Sequence, residues 1–163
     1  MTAQEMKKLV EDHLKRYKAL QEQVRAAEDD AANVAFSQGS GDPVQSSTLS
    51  DKTFRGALLL ETVDQARAWV DCITRSMTWM EENRPDLHRL LYGHYGMRYT
   101  RGYRRKHARA FSAAYCTTYH ISESEYRTRR IEGLEELTID ATEAGLIGRK
   151  IQVRGEREKN VLK

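Results

Sequence analysis

Proline occurs only at positions 43 and 85 of this 163-residue chain, and the long intervals between carry apolar residues at steps of three and four. Proline has no N–H to give a helix interior, and apolar residues at that spacing share one face of a helix and opposite faces of a strand, so the pattern confines the chain to helices. Between Thr2 and Asp29 there is neither Gly nor Pro, and Met6, Val10, Tyr17, Leu20, Val24 and Ala27 follow one another at steps of three, four and seven. This predicts one long amphipathic helix, with His13 as the polar member of its apolar seam. Such a seam has to be covered, either by packing within the monomer or by a second subunit.

Further along, "SQGSGDPVQSSTLS", Ser37 to Ser50, has the Gly/Ser/Pro content of a linker. A second helix is expected from about Asp51 to Glu82, with Val63, Ala66, Val70, Ile73, Met77 and Met80 on its core face and Trp69 and Trp79 assigned to the same core. Asn83–Arg84–Pro85–Asp86 stops it and starts the short helix "DLHRLLYGHY", because Pro suits a first helical turn and Asp a helix N-terminus. Gly93 and Gly96 weaken the end of that helix, and "RYTRG", Arg98 to Gly102, reads as a turn. A basic helix, "YRRKHARAFSAAYCTTYH", follows, then another running past Leu137 towards Gly145.

The charge is unevenly spread. Residues 1–97 hold 12 Lys/Arg against 15 Asp/Glu and residues 131–163 hold 6 against 7, while residues 98–130 hold 9 against 2, a local excess of +7 in a chain of net +3. A basic patch of this kind inside a balanced chain is the electrostatic footprint of nucleic-acid binding.

The stretch "HISESEYRTRR", His120 to Arg130, narrows this further. Ser122 and Glu125 have the S-x-x-E spacing of a capping box, and Glu123 and Glu125 suit the positive end of a helix dipole. Arg127, Arg129 and Arg130 have no such local reason, since like charges crowd the first turns of the helix and an external anion would relieve them. Helix, short turn at "HIS" and capped helix make a helix-turn-helix, whose second helix presents its N-terminal residues to a major groove about 12 Å wide. Ile121 is expected to plug the angle between the helices. Tyr126, Gly133, Leu134, Leu137 and Ala141 should face inward, leaving Glu123, Ser124, Arg127 and Thr128 outward. Gly133 costs about 1 kcal/mol relative to Ala in a helix, which is acceptable where two helices approach closely.

Within this stretch "HISESEYRTRRIEGLEEL", together with "RYTRG", "LHRLL", "SGDPV" and "VEDHLKRYKAL" in the same order, resembles the RinA and ArpU group of phage-encoded transcriptional regulators, which are similar to the fourth region of bacterial sigma factors. The resemblance implies a sequence-specific activator of phage late genes for packaging, morphogenesis and lysis. One departure is a longer, more basic segment between Gly102 and Ile121, which either extends the first helix of the motif or adds an arm over Tyr103 to Arg109.

The expected architecture is all-α: an N-terminal amphipathic oligomerisation helix at 1–36, a linker at 37–50, a helical DNA-binding domain at 51–147 with the helix-turn-helix at about 103–145, and a charged, frayed tail at 148–163. The expected DNA-binding residues are Ser124, Arg127, Thr128, Arg129, Arg130, Arg101, Arg104, Arg105, Lys106 and Arg109, with Ser122 and Glu125 capping the second helix. The expected partners are double-stranded DNA, a second copy of the chain and, in one alternative, RNA polymerase, on which the protein would act as a sigma-like or antitermination factor. A second alternative is a DNA-packaging adaptor resembling a small terminase subunit.

Other classes fit less well. There is no Gly-rich phosphate loop, paired carboxylate motif or nucleophile signature around Cys116, so no enzyme and no cofactor are expected. His88, His94, His107 and His120 lack metal-ligand spacing. The many tyrosines around the basic patch, Tyr92 to Tyr119, are assigned to core filling ahead of base stacking. Cys72 and Cys116 are expected as reduced thiols in the cytoplasm, and no apolar run approaches the length of a membrane span.

Overall fold

A computed structural model of the chain describes residues 1–37, 49–99 and 102–147, and the side chains within those ranges except 31–37 and 49–61. The linker centre at 38–48, Arg101 and the tail at 148–163 lie outside the described residues. Six helices and no strand make up the described residues: α1 Ala3–Lys15, α2 Tyr17–Ser37, α3 Leu49–Asn83, α4 Pro85–His94, α5 Arg105–Tyr119 and α6 Glu123–Glu143.

α1 opens on a full capping box, with Thr2 Oγ1 accepting from the Glu5 N–H at 3.3 Å and Glu5 Oε2 accepting from the Thr2 N–H at 2.7 Å. The single long helix expected here is divided at Arg16 (φ −98°, ψ 2°), whose N–H turns back to the His13 carbonyl at 3.2 Å. No Gly or Pro marks this break. Its setting is tertiary, because α1 packs against α6 while α2 packs against α3. Val10, Leu14, Tyr17, Leu20 and Val24 are all 8% exposed or less within the single chain. Of the two expected ways to cover the seam, packing within the monomer accounts for these residues, and their burial calls for no second subunit. His13 stacks on Trp69 with ring centroids 3.8 Å apart.

The core face of α3 is buried at Ala66, Trp69, Cys72, Ile73, Ser76, Met77 and Met80, whereas Trp79, assigned to the core from the sequence, stands 48% exposed. α4 begins with Pro85 in its first turn, as Pro requires, and sinks Leu87, Leu90 and Leu91 completely. It lies between α3, α5 and α6. Two glycines permit this packing. A Cβ on Gly93 would fall inside the Phe111 ring of α5, and one on Gly133 would stand 2.8 Å from Leu91 Cδ1, so the close approach expected at Gly133 is made to α4. The turn from α4 to α5 uses positive φ at Gly96 (62°) and Gly102 (63°), with the Gly102 N–H on the Tyr99 carbonyl at 2.9 Å.

α1 runs antiparallel to α6. Lys7 pairs with Glu135, Arg130 Nη1 lies 4.0 Å from Glu11, and further along α1 Lys15 sits over the Tyr103 ring.

Candidate nucleic-acid interface

The turn between α5 and α6 is closed by local chemistry. His120 adopts the left-handed region (φ 51°), and the Ile121 N–H reaches back to the Cys116 carbonyl at 3.1 Å, which satisfies the end of α5. Ile121 packs against the core cluster. Ser122 then caps α6, its Oγ accepting from the Glu125 N–H at 3.1 Å. The expected capping box is only half formed: the Glu125 carboxylate turns forward to Arg129 at 2.7 Å instead of back to Ser122.

The inward stripe of α6 is as the spacing requires, with Tyr126, Gly133, Leu134, Leu137 and Ala141 all buried. Outward stand Ser124, Arg127 and Thr128. The Arg127 side chain is 70% exposed, and its pair with Glu123 at 3.2 Å joins two solvated groups, so an anion can displace it cheaply. The Thr128 hydroxyl donates to the Ser124 carbonyl at 3.1 Å, which commits its proton to the helix. Arg129 is one-third exposed and tied to Glu125.

Arg130 differs from Arg127 and Thr128 in being partly buried, its side chain 28% exposed. It turns inward, donating from Nη1 to His94 Nε2 at 3.1 Å and approaching Glu11, while its Nε is buried without a partner among the described residues. This ties it to α1 and α4, and the part left exposed faces the groove between α5 and α6. The signal was present in the spacing, since position 130 lies four residues after Tyr126 and three before Gly133, on the inward stripe. His94 itself is buried and bonds through Nδ1 to the Tyr126 hydroxyl at 2.9 Å. Burial, reinforced by the Arg130 guanidinium, pushes the His94 imidazole down to about 4.

The long basic segment after Gly102 is helical from Arg105 onward. Arg104 is the N-cap of α5, and Arg105, Lys106 and Arg109 occupy its first turns, all exposed and none with an ion-pair partner among the described residues. No side chain caps this N-terminus and no acid occupies its first turn, so the four cations stand around a helix end that favours anions. Between α5 and α6 lies an open groove of about 510 Å³ with Arg105 and Arg109 on one wall, Arg127 and Arg130 on the other, and His94 and Tyr126 among its lining. Glu123 is the one carboxylate in the lining.

No local pattern points to the cluster of Glu11, His94, Tyr95 and Tyr126, which joins α6 to α1 and α4. It draws on three distant parts of the chain, and the Tyr95 hydroxyl donates to Glu11 at 3.2 Å. Of the tyrosines, Tyr95 and Tyr115 are buried as core, whereas Tyr92, Tyr99 and Tyr119 are exposed. Among the described residues no group of His, Cys, Asp and Glu is placed to hold a metal ion, and no helix is long and apolar enough to cross a membrane. Comparison with protein families, with curated proteins and with solved structures returns no match for this chain.

Proposed function

We propose that the protein is a sequence-specific double-stranded-DNA-binding regulator of transcription that reads the major groove with the N-terminal half of α6. The observation that carries this is the pairing of two features on adjacent helices: a Ser122-capped helix with Ser124, Arg127 and Thr128 on its free face, and an α5 N-terminus with Arg104, Arg105, Lys106 and Arg109 unpaired. Arg127 is suited to a bidentate contact with guanine O6 and N7. The α5 cations, on a helix end that already favours anions, are suited to phosphate, where they set register without reading sequence. The residues "HISESEYRTRRIEGLEEL" and the order of motifs before them support placing this activity with phage late-gene activation. The packaging-adaptor alternative draws no support from the seam residues Val10, Leu14, Tyr17, Leu20 and Val24, which are buried in the chain itself.

Selection of bound duplexes from a random pool by the full-length chain tests the proposal. Enrichment of a defined site containing a guanine whose substitution no longer matters in Arg127→Ala is the expected result. A pool that stays unenriched, with equal affinity for all duplexes, would overturn it.

A further inference from the structure

Ile131 stands outside the inward stripe of α6. It is 44% exposed on α6, while the apolar residues of the inward stripe, Leu134, Leu137 and Ala141, are 4% exposed or less. A single exposed isoleucine is ordinary on a protein surface. The position of this one is not, because it lies one helical turn beyond Arg127 and about 6 Å further along the axis, on the outward strip that also carries Ser124 and Thr128. A solvated helix position gains nothing from Ile, whose branched Cβ lowers helix propensity below that of Lys, Glu or Ala. The same branching locks χ1 and presents the side-chain methyl groups in a fixed direction. The strip is closed one turn later, where Glu135 is held by Lys7 of α1.

Resting on the DNA-binding function proposed above, we infer that Ile131 determines specificity by packing against the 5-methyl group of a thymine. That methyl is the one apolar feature that a base pair shows in the major groove, and aliphatic contact with it separates T·A from the other pairs. The polar atoms nearby compete weakly for this role. The Thr128 hydroxyl proton is already committed to the Ser124 carbonyl, and Arg127 carries the hydrogen-bonding capacity of the strip. With a rise of about 3.4 Å per base pair, the 6 Å between the two residues sets the thymine within about two base pairs of the guanine that Arg127 contacts.

The test uses the duplex enriched by the full-length chain and replaces each thymine in turn by deoxyuridine, which removes the methyl and nothing else. At one thymine, within about two base pairs of the Arg127-dependent guanine, the wild type should lose about fourfold in affinity, the worth of one buried methyl group. Ile131→Ala should bind the unmodified site more weakly and show no further loss on deoxyuridine substitution at that base. Ile139→Ala, which removes the other exposed isoleucine of α6 about 12 Å further on, should behave as the wild type on both duplexes. An enriched site at which deoxyuridine costs the wild type and Ile131→Ala equally, or costs neither, would overturn the role of Ile131 and leave the DNA-binding function standing. A pool without any enriched site would remove both.

Discussion

His94 Nε2 accepts a hydrogen bond from Arg130 Nη1 at 3.1 Å. A guanidinium has donors only, so that imidazole nitrogen must carry a lone pair, and the ring proton sits on Nδ1, from which it is donated to the Tyr126 hydroxyl 2.9 Å away. One contact thus fixes the tautomer of a buried histidine and ties an arginine of α6 to α4.

Stability should fall as the solution is made acid through this histidine. Burial and then Arg130 hold its folded pKa at about 4, below its ordinary value of 6.5, so between these two pH values the unfolded chain binds a proton that the folded chain refuses. The stabilising effect of neutral His94 is complete above about pH 6.5 and is lost progressively down to about pH 4, by up to about 3 kcal/mol. Denaturation of wild type and His94→Gln across that window should show a slope in the wild type that the variant lacks. A His94 ring signal titrating at its ordinary pH in NMR spectra would contradict the expected slope.

Arg127 and Arg130, three residues apart, should separate binding from stability. Arg127→Ala should cost about 1–3 kcal/mol on the selected site and little on unrelated DNA, with stability unchanged within about 0.5 kcal/mol. Arg130→Ala should cost about 1–3 kcal/mol of stability, by leaving His94 Nε2 without its donor. Ser122→Ala should likewise act on the fold, by about 1 kcal/mol. Matched melts and titrations on both DNAs check this, and equal binding losses for Arg127→Ala on both duplexes would reassign it to phosphate.

The unpaired cations of α5 should appear in the salt dependence. Each phosphate they neutralise contributes about −0.9 to the slope of log affinity against log salt. Replacing Arg104, Arg105 and Lys106 together by alanine should make the slope shallower and weaken binding to every sequence alike. A slope unchanged by the triple substitution would place the phosphate contacts elsewhere.

Leu14→Ala empties a position that is 1% exposed under α1, and should cost about 2–5 kcal/mol. Because the covering surfaces belong to the same chain, the loss should not depend on protein concentration. A melting temperature that rises with concentration in the wild type would show that part of the seam is shared between subunits.

Gly133→Ala should destabilise although alanine is the better helix former. The propensity gain is about 1 kcal/mol, but the new Cβ would sit 2.8 Å from Cδ1 of Leu91, a fully buried side chain with no room to swing, and overpacking of this kind costs about 1–3 kcal/mol. Pairing it with Leu91→Val, which withdraws the offending methyl, should recover part of the loss. Thermal melts of the single and double variants decide the matter.

Local chemistry made much of this protein legible from residues alone. The end of α3 before Pro85, the Ser122 cap, the inward stripe of α6 and the close approach at Gly133 all follow from patterns spanning a few residues, because a helix reports its buried face through its own periodicity. The stripe also contained position 130, where Arg130 lies partly buried with its exposed part on the groove between α5 and α6. Which surface covers which face is not encoded at that range. The apolar seam from Val10 to Val24 was plain, but an amphipathic helix specifies only that a partner exists, and it was the packing of α1 on α6 and α2 on α3 that broke the helix at Arg16 and supplied that partner from within. The direction of Arg130 was decided in the same way, by His94 and Glu11, which lie 36 and 119 residues away in the chain and meet it only once α1, α4 and α6 are packed.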